Sequence, residues 1–338
     1  MIKPRLRMGL VGFPREEYLH ALLRTRSAVL TWEHASAADA DALWVNGEAA
    51  RFLYDELVSV APGATAPAMT LDLQALDRPT FFTLPLADER IRVPLVLDLH
   101  SAPSVDKALR RAQSVLHPLV MQLALGHEIA ERLPGLTGTT YHVTQRGRLV
   151  AVVNMGGAIG LDLNMLPPHL EGAEWRPLPR AAGGVPPQFF TTSFAEVLWN
   201  YVNRVDTELL PDRYRRATIF FRAIPRVPQR LLKESHYAVL SELGAEPHTF
   251  RQLQQNVGLA EDSLAKTLAV LYYAGAVTTN PRRAAKGATR HVREAESESE
   301  LRQSMFPQED LQPFSAFQGR AGEERPTLPA ALEPETRR

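Results

Sequence analysis

The sequence predicts a modular chain. An α/β domain with a parallel sheet covers residues 1–133, a small β unit with a Pro/Gly-rich linker covers 134–190, a mainly helical domain covers 191–293, and a disordered tail covers 294–338. Three observations carry this. Short apolar runs alternate with helical spacings over the first 130 residues, the pattern of strands joined by crossover helices. Two β-rich runs then flank a glycine turn, which signals a hairpin. The second half repeats its apolar residues at helical spacing and carries helix caps. A length of 338 residues fits two domains, or three small ones.

Composition excludes more than it selects. An apolar share of 45% fills real cores. The absence of cysteine excludes disulfides, thiolate zinc sites, iron–sulfur clusters and cysteine nucleophiles. Basic and acidic side chains number 38 each, so the chain as a whole is not built for an anionic partner, while a local basic patch stays open. The apolar run at residues 8–13 is too short for a signal-peptide core, and no stretch approaches a bilayer span, so a cytoplasmic protein without a membrane partner is expected.

The elements follow in order. Residues 6–11 form a buried strand that ends at Gly12-Phe13-Pro14, and Pro14 can open a helix carrying Tyr18, Leu19, Leu22 and Leu23. Residues 28–32 are a second strand. Residues 42–45 are a third, closed by the turn dipeptide Asn46-Gly47. Phe52, Leu53 and Leu57 share one face if residues 49–60 are helical. A fourth strand comes from 69–73 or 81–84, and a fifth from 93–99, broken by Pro94. Residues 104–133 are a long helix with an interruption at Pro118.

Five strands with these connections resemble the response-regulator receiver fold over roughly residues 5–130. A generic doubly wound nucleotide-binding domain is the competing reading. The resemblance implies a site whose chemistry is dismantled. Gly12, Phe13 and Pro14 stand where receivers carry an acidic pair for magnesium, and Glu16 and Glu17 come later. Asn46 stands at the phosphoacceptor position, where an amide is neither a nucleophile nor a charge for magnesium. Leu99-His100-Ser101-Ala102-Pro103 keeps the expected proline and lacks the lysine. The resemblance therefore implies a pseudo-receiver that docks a protein partner and is not phosphorylated. Asn46 as a plain turn residue is the simpler alternative.

In the middle, residues 139–143 and 149–153 are strands around Gln145-Arg146-Gly147-Arg148. Residues 154–160 are glycine-rich, but Met155 stands where a dinucleotide fingerprint needs glycine and no helix follows, so a β-turn is expected. Residues 167–188, rich in proline and glycine, read as a linker or surface loop.

Residues 193–210 read as an amphipathic helix, with Ser193 and Glu196 in capping-box spacing. Residues 213–233 then carry Arg213, Arg215, Arg216, Arg222, Arg226, Arg230 and Lys233 without an acidic residue, interleaved with Tyr214, Phe220 and Phe221. Arginine beside aromatics suits phosphate grip and base stacking. The alternative is a solvated surface whose arginines pair with Glu196, Asp206, Asp212 or Glu234. Helices at 234–243, from Thr249 to near Gly258, and at 261–274, then a strand at 276–279, resemble a winged-helix domain over residues 234–293. Such a domain implies DNA contact through its third helix. Here that helix opens with Glu261 and Asp262, the wrong charge for phosphates. The wing region carries Arg282, Arg283, Lys286, Arg290 and Arg293, followed at once by Glu294, Glu296, Glu298 and Glu300. Protein contact is therefore slightly favoured over DNA reading. From Ala284 onward the composition is that of a disordered segment.

Enzyme signatures are absent. His127-Glu128 lacks a second histidine, and there is no nucleophile elbow or phosphate-loop lysine. Asp98, His100 and Ser101 cluster at a strand end but do not share one face. No catalytic residue, metal or cofactor is expected. The expected function is a non-catalytic signalling adaptor. A DNA-binding regulator and a receptor for an anionic nucleotide are the alternatives.

Overall fold

The computed structural model describes residues 5–15, 31–93, 95–136, 139–178, 184–205 and 208–285. The helix expected around residues 18–23 and the tail at 294–338 lie outside these residues. The N-terminal part contains strands β1 (Arg5–Val11), β2 (Thr31–Ala35) and β3 (Ala42–Val45), then β4 (Ala50–Phe52), β5 (Leu57–Val60) and β6 (Met69–Asp72), and finally β7 (Thr80–Thr83) and β8 (Val96–Leu97). Five of them form a parallel sheet in the order β2-β1-β3-β7-β8. This is an order of doubly wound folds in general. β3 and β7 are buried along their whole length, as expected of strands covered on both faces.

Alternation along the strands sorts their side chains into two cores. Leu6, Met8, Leu10, Trp44 and Phe81 face helix α1 (Ala102–Val115), which contributes Val105 and Leu109. Val11, Leu43, Val45 and Phe82 face the other way, onto Val58, Val60 and Leu71. Those last residues belong to the antiparallel sheet β4-β5-β6.

The helix expected at residues 49–60 is therefore a β-hairpin. Asp55 and Glu56 both take positive φ, 45° and 62°. The Leu57 amide donates to the Tyr54 carbonyl at 2.8 Å, closing a two-residue turn. Val58 and Val60 are buried while Leu57 and Ser59 are half-exposed, a period of two and not of 3.6. Both candidates for the fourth strand form, but only Thr80–Thr83 joins the parallel sheet. Among the described residues, the β7–β8 connection also lacks a helix.

α1 is capped by Ser101, whose Oγ accepts from the Ser104 amide. The expected interruption falls at Leu116, and α2 (His117–Arg132) follows with Pro118 in its first turn, where proline is tolerated.

The second sheet is antiparallel. It comprises β9 (Thr140–Gln145), β10 (Arg148–Asn154), β11 (Ala158–Leu161), β12 (Glu174–Leu178) and β13 (Phe190–Ser193), in the order β12-β9-β10-β11-β13. Arg146 and Gly147, with φ of 51° and 77°, make the β9–β10 turn. The linker expected at 167–188 instead contains β12, an edge strand on β9 that tolerates Pro177.

The helical half comprises α3 (Phe194–Val202), α4 (Arg213–Arg216), α5 (Glu234–Ala245), α6 (Phe250–Val257) and α7 (Glu261–Tyr273). α3 is shorter than the helix expected at 193–210. Two short strands, β14 (Phe220–Phe221) and β15 (Val277–Thr278), pair antiparallel. One apolar cluster runs from α2 through β9–β11 to α3, α5 and α7, including Met121, Val143, Ile159, Trp199, Val239 and Leu268.

A polar seam joins this cluster to the N-terminal sheet. Arg7 Nη2 donates to the Asn203 carbonyl at 2.9 Å. Arg204 Nη2 lies 2.5 Å from Asp41 Oδ1, and Asp41 Oδ2 accepts from the Arg7 amide at 2.8 Å. Lys233 Nζ meets Asp39 at 2.5 Å. Among the described residues, no helix is long and apolar enough to cross a membrane.

Candidate anion-binding site

The sequence-predicted arginines divide into two groups. Arg213, Arg215 and Arg216 occupy α4. Arg213 donates to the Tyr272 hydroxyl at 3.1 Å and lies over the Tyr214 and Tyr272 rings. Arg215 bridges Glu208 at 2.8 Å and Glu261 at 2.5 Å, and lies over the Phe250 ring. These two hold the helical module together. The acidic partners of Arg215 are Glu208 and Glu261, neither of them among the four considered from sequence. Arg216 is exposed. Arg230 sits on the turn Gln229–Leu231, and its side chain lies outside the described residues, as do Lys286, Arg290 and Arg293.

Arg222, Arg226, Arg282 and Arg283 converge. All four line one cavity of about 700 Å³. Backbone pairing brings them there. The Arg222 amide donates to the Ala276 carbonyl at 2.8 Å, just past β14. Asn280 caps the single turn Pro281–Arg283 by accepting from the Arg282 amide at 2.9 Å. The Ala285 amide then returns to the Phe221 carbonyl at 2.9 Å. Two arginine pairs some sixty residues apart in sequence therefore face the same space.

The other walls come from the β10–β11 turn and the two ends of α3 and α7. Met155, Gly156 and Gly157 line the cavity together with Ser193, Phe194 and Ala195. The turn is not a phosphate loop. Gly156 N donates to Asn154 Oδ1 at 3.1 Å and Gly157 N to the Asn154 carbonyl at 3.1 Å, so both amides are engaged within the turn. The Phe194 amide donates to the Gly157 carbonyl at 3.0 Å, which locks the start of α3 against it. Ser193 Oγ accepts from the Glu196 amide at 3.0 Å, so the positive end of α3 is capped at the cavity.

Among the described residues, no aspartate or glutamate lines this cavity. Burial, followed by the Arg283 charge, lowers the Arg222 pKa from its ordinary value. Two guanidinium groups are thus within mutual range where an anion would relieve their repulsion. Tyr273, 8% exposed, also lines the cavity. Burial raises its pKa to about 12, and the nearby Tyr272 and Tyr201 add to this, so it stays a neutral phenol.

The sequence offers these four arginines within a set of eight and does not separate them from Arg213, Arg215, Arg216 and Arg230. Sequence reasoning missed Tyr273, Ser193–Ala195 and the glycine turn as walls of the same cavity. No local signal could have found these, because the contacts span more than 100 residues.

Asn46 lies at the C-terminal end of β3, as expected. Its Nδ2 donates to the Gly12 carbonyl at 2.9 Å and its Oδ1 accepts from the Glu48 amide at 3.1 Å. Gly47 N donates to Thr83 Oγ1 at 3.0 Å, and a Cβ on Gly47 would lie 2.0 Å from the Thr83 carbonyl. The dipeptide therefore ties together the ends of three parallel strands. Asp98, His100 and Ser101 form the lead-in to α1: Asp98 Oδ1 accepts from the His100 amide and Ser101 caps the helix. Among the described residues, no three histidine or carboxylate groups are placed to hold a metal ion. Comparison with protein-family models, characterised proteins and solved structures finds no match.

Proposed function

We propose that the chain is a non-catalytic binding protein that takes an anionic ligand in the cavity lined by Arg222, Arg226, Arg282 and Arg283. The observation that carries this is that four arginines line one cavity which, among the described residues, no carboxylate lines. Arginine forks match phosphate and carboxylate oxygens in pairs, and each charged hydrogen bond is worth about 1.5–3 kcal/mol. Titration calorimetry with inorganic tripolyphosphate tests it. Binding should be lost in the double variant R282A/R283A, whose positions lie on a surface turn. Equal heats from wild type and variant would exclude the cavity.

Within this reading the N-terminal α/β module is a docking unit for a protein partner, in a cytoplasmic signalling setting, and it is not phosphorylated. The neutral Asn46 amide, engaged on both sides, supports that part. Incubation with acetyl phosphate and magnesium should leave the chain unmodified, and a phosphoaspartate would overturn it.

DNA binding is a second reading, favoured by the exposed Arg226 and Arg282. It predicts affinity for duplex DNA that falls steeply with salt. Glu261, held by Arg215 at the start of α7, counts against that helix entering a groove.

A further inference from the structure

We propose that the chain supplies its own anion to this cavity: the acidic run Glu294, Glu296, Glu298 and Glu300 docks on Arg282 and Arg283 and competes there with any external anion. This rests on the anion-binding reading above. The run lies outside the described residues, so its sequence and the place where the chain leaves the cavity name it as the occupant. Reach comes first. Ala284 lines the cavity, and the Ala285 amide is fixed to the Phe221 carbonyl at 2.9 Å. Eight residues separate Ala285 from Glu294, and Gly287 among them eases a turn back. Such a stretch spans at most about 30 Å when extended. A tether this short presents its end at an effective concentration on the order of millimolar.

Charge comes second. Arg222 and Arg226 have engagements of their own, so the charge open to an occupant is that of Arg282 and Arg283. These two sit on the surface turn Pro281–Arg283, with Arg282 exposed and Arg283 half-buried. Among the described residues, no carboxylate lines the cavity. The chain that leaves it first adds Lys286, Arg290 and Arg293, and Glu294 is the first carboxylate since Asp262. Spacing comes third. The four glutamates alternate with Ala295, Ser297 and Ser299. An extended backbone puts every second side chain on one face, about 6.6–6.8 Å apart, so all four carboxylates can face one wall. A spacing of two on a helix scatters them around the axis. Exposed ion pairs are individually weak and screened by salt, so the run is held by several at once and by its tether. A polyphosphate, with its charges closer together, displaces it.

Spin-label distances and calorimetry on the full chain test this. The chain has no cysteine, so T191C/S297C takes two nitroxide labels and no others. Thr191 is exposed on β13, four residues before Ala195 on the cavity wall. At low salt the distances should be short and narrowly distributed. They should lengthen and broaden on adding R282A/R283A or E294Q/E296Q/E298Q/E300Q, and also at about 1 M salt, where the screening length falls to about 3 Å. Without labels, E294Q/E296Q/E298Q/E300Q should bind inorganic tripolyphosphate several-fold more tightly than the wild type. Distances that ignore both sets of substitutions overturn the docking. Equal tripolyphosphate affinity in wild type and glutamine variant overturns the competition and leaves the anion-binding reading standing. Responsive distances with no tripolyphosphate binding in either chain sink that reading instead and leave the docked run.

Discussion

At the scale of single residues, burial decides what a polar side chain does. His236 on α5 is 3% exposed, its Nδ1 accepts from the Lys233 amide at 2.8 Å, and its ring lies 4.8 Å from that of Trp199. Burial, with a smaller push from the Lys233 charge, lowers its pKa to about 4. The unfolded chain binds a proton here near pH 6.5, well before the folded chain does. The stabilisation is therefore complete above pH 6.5 and is lost as pH falls towards 4. The loss is of order 2–3 kcal/mol. H236Q keeps an acceptor for the Lys233 amide and cannot be protonated. Urea midpoints at pH 7.5 and 4.5 should differ less in the variant than in the wild type. An unchanged difference would show that His236 is not the buried base.

At the scale of elements, turn residues outrank apolar spacing. Phe52, Leu53 and Leu57 fit a helical face, yet Asp55 and Glu56 in the left-handed region make a hairpin of β4 and β5. A side chain bearing a Cβ is strained there, so E56G should stabilise the chain by about 1 kcal/mol. In a helix the same change would destabilise by about 1 kcal/mol, so the sign of the shift in thermal midpoint decides between them. The β9–β10 turn was legible because Gly147 marks it. The β4–β5 turn was not, because no glycine marks it and Glu56 does not advertise positive φ. β12 was hidden for a related reason: Pro177 is excluded from central strands but suits the edge it occupies. Helix boundaries at Ser193, Thr249 and Gly258 were readable because capping is local chemistry, whereas the helix expected from residue 104 starts earlier, at Ala102 with Ser101 as its cap.

At the scale of the molecule, α3 joins the candidate site to the N-terminal sheet. Ser193 and Phe194 line the arginine cavity at one end, and Asn203 and Arg204, just past the other end, reach Arg7 and Asp41. The helix between them is nine residues long, about 14 Å. Its flank is tied to α2 by the buried Asn200–Gln122 hydrogen bond at 3.1 Å. The Asp41 and Arg204 side chains are only 7% and 13% exposed. Removing one partner of a buried ion pair leaves an uncompensated charge, so D41A should cost about 3–5 kcal/mol in denaturant unfolding. The double variant D41A/R204M should recover most of that loss, because no charge is then stranded. Equal instability of single and double variants would show that the seam works by shape and not by charge.

By itself, the sequence determined the parallel strands, most helix caps, the lack of thiol chemistry and the eight candidate anion-binding arginines. Each is local: a run of apolar residues, a capping side chain, a residue type present or missing. Tertiary structure decided which arginines share a space. Arg213 and Arg215 went to carboxylates and aromatic rings within the helical module. Arg222 and Arg226 were brought to Arg282 and Arg283 by the pairing of β14 with β15, and Tyr273 and the Gly156-Gly157 turn were packed beside them. Charge in a sequence is a sum, whereas binding depends on which charges lie within a few ångströms of each other with no opposite charge between them. Long-range backbone pairing sets that distance.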